Sequence, residues 1–290
     1  MEKYGPTIKQ IRTNKNITLK ETYIGILSKS FAIDFEKGMY DIKFSKMLEI
    51  LNRIMVSPEE MIFIHNKYKL SKLDNIMENI NTNNLKTSCK YITKELENIN
   101  KTINYNDTKT NLKYMQLTLL KNINLKENIL KKEECKKAKQ YIKNYLFATE
   151  SWTLEEIKIF SDMNFIFDED RTELFILAWE NMEKYKNYPN FKINLSHLLI
   201  NNIYYLFIEK EYIIIKSVIK RLKEITDDIT MLHWNVLTMY FEGIYLYIVN
   251  KEEKGIIKIN EAKKILYLTN QLEIINMLNE CFNVIKNKKQ

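Results

Sequence analysis

Only 5 glycines and 3 prolines punctuate the 290 residues of this chain, and that scarcity constrains the fold more than any single motif. Folds rich in sheet need these residues in their turns, so an almost entirely helical protein is expected. The few that occur fall at positions suited to helix ends. Gly38 closes a ten-residue helical pattern, Pro58 follows a capping serine, and Pro189 separates two apolar-periodic segments.

Residues 7–55 are packed with short amphipathic patterns that leave almost no room for loops. A first helix spans about Thr7 to Asn14, with Ile8 and Ile11 inward. Thr18 with Glu21 three residues on is a capping box. Ser28 is a second N-cap, and the helix that follows ends at Gly38. Two short helices joined by a few residues form a helix-turn-helix, in which the second helix, 28–37, lies in the major groove of DNA. A fourth helix over 43–54 carries Phe44, Met47, Leu48, Leu51 and Ile54 as a core stripe. Ser57, Pro58 and Glu60 announce a fifth with another capping box, and Met61, Ile62 and Ile64 close the bundle. The expected organisation is a DNA-binding domain over 1–65, a linker over 66–71, and a helical domain over 72–290.

From residue 71 the pattern lengthens. Helices are expected near 71–80, 84–99, 108–122, 132–148, 153–163, 170–186, 192–208, 211–225, 230–249, 253–268 and 271–287. Thr153 with Glu156 supplies one capping box, and Asp168 can cap the next helix. Paired as hairpins, these helices cannot bury their apolar faces alone and must stack, as tetratricopeptide-like units do.

The segments GPTIKQIR, ILSKSFAIDFEKG and MLEILNRIMVSPEEMIFI resemble, in letters and spacing, the N-terminal domain of the Rgg family of bacterial transcription regulators, also called MutR or GadR. KQYIKNYLFATESW, LLINNIYYLFIEKEY and FEGIYLYIVNKEEKG extend the likeness over nearly the whole chain. The resemblance implies an all-α protein: a lambda-repressor-like helix-turn-helix bundle followed by a right-handed array of TPR-like hairpins that senses short peptides. It also implies an ion pair between Arg12 and Glu36. The family usually carries a polar residue at the place of Phe31 and a basic one at that of Asp34, so base reading is expected to differ here.

Charge supports a phosphate-facing surface. The first 70 residues hold 12 Lys or Arg against 8 Asp or Glu, half of the chain's +8, and neutralising phosphates drives most nucleic-acid affinity. Ser28, Lys29 and Ser30 at the helix start, with Lys37, Lys43 and Lys46 along the rim, are placed for phosphates. Phe31, Ile33 and Asp34 sit where base edges would be. Phe31 can touch thymine methyls and Asp34 can accept from cytosine N4, but no arginine is present for bidentate guanine reading. For the peptide, Asn202 and Tyr205 in LLINNIYYL, the aromatics Trp152, Trp179, Trp234 and Tyr240, and Arg171 for a carboxylate are the candidates.

No phosphate loop, nucleophile elbow, HExxH or cofactor motif is legible, so no enzyme and no cofactor are expected. Cys89, Cys135 and Cys281 lack metal spacing. Without a leader or long apolar span, a cytoplasmic chain with no membrane contact is expected. Helix-turn-helix modules act on paired half-sites, so a homodimer is expected, with Ile265, Leu268, Leu272, Ile275, Leu278 and Phe282 as the apolar stripe. Asp34 keeps a second reading open, an interaction module whose helix-turn-helix has lost base specificity.

Overall fold

The computed structural model describes residues 3–70, 74–75, 94, 96–97, 107–124 and 132–288. Among these residues every regular element is helical. The helices are α1 (Gly5–Asn14), α2 (Leu19–Tyr23), α3 (Lys29–Glu36), α4 (Phe44–Arg53), α5 (Pro58–His65), α6 (Thr108–Asn124), α7 (Glu133–Ala148), α8 (Leu154–Met163), α9 (Arg171–Glu183), α10 (Phe191–Glu209), α11 (Tyr212–Thr226), α12 (Leu232–Ile248), α13 (Lys254–Leu268) and α14 (Leu272–Asn287). Each boundary lies within three residues of its expected position. The expected helices at 71–80 and 84–99, and Cys89, fall almost wholly outside the described residues.

The chain divides into two compact units, Met1–Leu117 with Ile123–Glu127 and Thr118–Asn122 with Asn128–Gln290. In the first, α1 to α5 close around Ile8, Ile11, Phe35, Ile50, Leu51 and Ile54, which are almost fully buried. Local signals start the helices. The Thr18 hydroxyl accepts from the Glu21 N–H, and the Glu21 carboxylate accepts from the Thr18 N–H at 2.7 Å. Ser28 and Ser57 accept from the amides of Phe31 and Glu60. At Ser57 the hydroxyl-to-Glu60-amide half is the part of the expected box that forms. The Glu59 carboxyl is held below the usual range first by its own backbone N–H and then by the Ser57 hydroxyl.

Two core assignments also change. Phe44, the first residue of α4, is 70% exposed, while Ile50 takes the fully buried place. Ile62 is 47% exposed and leaves closure of the bundle to Met61, with Ile64 packed beside it.

In the second unit, consecutive helices pack as antiparallel neighbours, α10 on α11, α11 on α12 and α12 on α13. Helices two apart also touch, α8 with α10 and α10 with α12, and α10 reaches α14. Stacked hairpins that curve bring alternate helices together on one side, so α8, α10, α12 and α14 form an inner row. The α12–α13 hairpin is tightest. A Cβ on Gly255 would stand 2.5 Å from the Gly243 carbonyl oxygen, so glycine there permits backbone-to-backbone contact.

Caps in this unit follow expectation with one exception. Thr153 and Glu156 form the reciprocal box. Burial alone would raise the Glu156 carboxyl, but the Thr153 and Tyr145 hydroxyls and the Thr153 N–H outweigh it and hold the group below its usual value. Asp168 does not cap α9. That position belongs to Asp170, without a side-chain bond, and Asp168 pairs with Lys139 at 2.9 Å.

Candidate functional site

The turn between α2 and α3 is set by Gly25, whose φ of +78° is left-handed and open to glycine at little cost. Arg53, at the end of α4, donates to the carbonyls of Thr22 and Ile24, at 3.3 and 2.6 Å, and so holds the end of α2 and the turn to the bundle. Neither residue was singled out in the sequence, although a glycine between two capped helices is a turn signal. Beneath α3 the Arg12 guanidinium makes a two-pronged contact with the Glu36 carboxylate, at 2.5 and 2.7 Å, and the Tyr23 hydroxyl donates to the same carboxylate at 2.8 Å. The side chain of Glu36 is only 4% exposed. The hydrogen bond to Glu36 raises the pKa of Arg12, and burial followed by the hydrogen bond to Glu36 raises that of Tyr23, so the guanidinium stays charged and the phenol stays protonated.

This triad faces inward with Ala32 and Phe35, which leaves Ser28, Lys29, Ser30, Ile33 and Lys37 on the outer side of α3. The Ser28 hydroxyl is engaged as the cap. Lys43 is exposed and Lys46 is half-buried on the following segment. Asp34 lies 3.6 Å from Lys37, one helical turn away. Phe31 is half-buried and does not enter the bundle core; its ring stacks on that of Tyr40, 5.6 Å between centroids and 13° between planes. Tyr40 lies in an irregular segment where periodicity offers no signal.

The inner row holds a second cluster. The His197 Nε2 lies 3.6 Å from the Asp162 carboxylate and 3.1 Å from the Asn201 amide nitrogen, and the imidazole meets Trp234 edge to face. Burial pushes the Asp162 carboxyl up and the His197 imidazole down, each opposed by the attraction of the other. Tyr204 and Tyr205 lie farther along α10.

Several residues expected to line the peptide groove lie in the core or in ion pairs. Asn202 is 1% exposed, its amide donating to the Leu198 carbonyl at 2.8 Å and its oxygen accepting from Asn164 at 3.4 Å. It shares the buried face of α10 with Leu195, Leu198 and Leu206. The neighbouring Asn201 takes the partly exposed position. Trp152 is 2% exposed, with its indole donating to the Leu146 carbonyl, and Tyr240 is fully buried, with its hydroxyl donating to the Leu278 carbonyl at 2.7 Å. Large apolar bodies with one satisfied polar atom belong to a core. Arg171 donates to the Asn164 carbonyl, pairs with Glu209 and lies over the Tyr205 ring at 4.3 Å, so it fastens α9 to α10 and is not free for a carboxylate. Trp179 lines a cavity of about 360 Å³ between α9 and α11, outside the inner row, with Ile176 and Ile213. Of the expected groove residues, Tyr205 and Trp234 stay on the inner row and partly exposed.

A helix-turn-helix bundle joined to stacked helical hairpins defines a class, that of transcription regulators with a sensory repeat domain. The sequence profile of the HTH-type transcriptional regulator Rgg, C-terminal domain, matches residues 96–280. The chain belongs to the Rgg family. Solved structures agree in fold over the whole length. A candidate transcriptional regulator from Listeria monocytogenes EGD-e is 25% identical, with a TM-score of 0.79, covering 100% of this chain and 99% of its own. The SHP pheromone receptor Rgg2 of Streptococcus dysgalactiae is 16% identical, with a TM-score of 0.71 and coverage of 97% and 99%. A bacterial peptide pheromone/receptor complex is 16% identical, with a TM-score of 0.64 and coverage of 99% of each chain. No curated protein matches the sequence. No helix of the described residues is long and apolar enough to cross a membrane.

Proposed function

We propose that the chain is a cytoplasmic, homodimeric regulator that binds double-stranded DNA through α3 and a short signalling peptide on the inner row, the peptide altering how the two DNA-binding heads engage their site. The observation that carries this reading is the capped α2–turn–α3 unit, braced by Arg12 and Arg53, with Lys29, Lys37 and Lys43 exposed along one side. The peptide part rests on Asp162, His197, Asn201, Trp234 and Tyr205 of the inner row, which offer donors, acceptors and rings together. Two of the structural neighbours are pheromone receptors. We place the linker at 66–71, after α5. For the dimer, Leu268 and Leu272 are exposed while Leu278 turns inward, so the expected stripe divides into a packed side and an open side suited to a second copy.

The DNA role is tested by mobility shift on the duplex upstream of the gene. Binding is expected to weaken steeply with salt. Lys29→Ala combined with Lys37→Ala is expected to make the slope of log K against log salt shallower by about 1 to 2. Salt-insensitive binding, or a double variant that binds as the parent does, contradicts the reading.

A further inference from the structure

The outer side of α3 has few groups left for reading bases by hydrogen bonds. The Ser28 hydroxyl caps the helix, and the Asp34 carboxylate and Lys37 lie against each other. Beside the exposed Lys29 and Ser30, which lies 3.4 Å from the Ser28 hydroxyl, the rest of this side is apolar: Ile33 is 37% exposed, and the Phe31 ring stacks on Tyr40, itself 51% exposed. Stacking fixes the Phe31 ring before any ligand arrives, so less freedom is lost on binding. Lys29 is exposed two residues before Phe31, and Lys43 is exposed three residues after Tyr40.

An apolar patch whose residues are flanked in the chain by exposed lysines suits a ligand that is anionic at its edges and carries an apolar group between them. Duplex DNA presents one such group in the major groove, the 5-methyl of thymine. We propose that this chain selects its half-sites by thymine methyls, through a rigid face made by Phe31 and Ile33 and positioned by Tyr40. The inference rests on the DNA role proposed above. It adds the base chemistry and assigns Tyr40 a positioning role.

The test begins by selecting binding duplexes from a random 30-base-pair library with the full chain. The recovered duplex is then synthesised with deoxyuridine in place of individual thymidines. Half-sites rich in T·A pairs are expected, and removing one critical methyl is expected to weaken binding roughly 3- to 5-fold, the effect of about one buried methyl. Phe31→Ala and Ile33→Ala should bind thymine and uracil duplexes alike while keeping salt-sensitive binding. Tyr40→Phe, which retains the stack, should preserve the thymine preference, and Tyr40→Ala should reduce it. All three side chains are at least partly exposed, and circular dichroism checks that each of the four variants is folded. A guanine-centred consensus, or equal binding of uracil and thymine duplexes, overturns this inference alone. Absence of salt-sensitive binding to any duplex overturns the DNA role as well.

Discussion

Arg12→Ala is expected to destabilise the N-terminal unit by about 3–5 kcal/mol, because it leaves the buried Glu36 carboxylate without its partner. The effect should be large for a surface-derived charge because Glu36 also holds the Tyr23 hydroxyl, so α1, α2 and α3 meet at one carboxylate. Losing Arg12 releases α1 from α3 and frees the Arg12 contact to the Ile17 carbonyl at the start of the helix-turn-helix. Urea unfolding followed by circular dichroism should show a transition at lower denaturant, and DNA binding at 37 °C should fall with it. Arg12→Met with Glu36→Leu should recover much of the loss, since a buried ion pair can be replaced by apolar groups at small cost. The Tyr23 hydroxyl would then lack its acceptor, which costs about 1–3 kcal/mol. An Arg12→Ala variant as stable as the parent would show that the pair contributes little.

Trp152→Ala is expected to cost the repeat unit about 3–5 kcal/mol, the usual range for removing a buried aromatic. Trp152 is 2% exposed, packs against Phe160, and joins α7 to α8 through its bond to the Leu146 carbonyl. A residue lining a groove would behave differently, lowering peptide affinity with little change in melting. Calorimetric melting together with peptide titration separates the two. A large loss of stability in Trp152→Ala, with unchanged affinity in the better-folded Trp152→Phe variant, supports the core assignment, and a loss of affinity at constant stability contradicts it.

Trp152, Tyr240 and Asn202 are buried while Asn201 is partly exposed, a division that periodicity carries only in part. Helix starts were legible because capping is local. Thr18 with Glu21, and Thr153 with Glu156, are decided within four residues. The Arg12–Glu36 pair spans 24 residues and entered through family resemblance rather than spacing. The outer side of α3 was legible because buried Ala32 and Phe35 fix which way the helix turns. The groove was harder, since aromatic residues serve cores and grooves alike and only tertiary packing divides them. Asn202 could have been placed by phase. It lies four residues from both Leu198 and Leu206, on the buried side, and its neighbour Asn201 therefore faces outward. Tyr40 and Gly25 lie where no helical period runs, so their roles follow from contact and backbone angle. Phe44 fitted a helical stripe, but as the first residue of α4 it projects beyond the bundle core.

Peptide binding in the repeat unit is expected to change DNA binding through α3. Fluorescence anisotropy of the chain on its upstream duplex, titrated with peptides encoded by short reading frames beside the gene, reads both sites at once. Salt-sensitive binding is expected, with an affinity that changes about 5- to 150-fold with one of those peptides, the usual scale of allosteric coupling. DNA binding that no peptide alters, or no DNA binding at low salt, would contradict it.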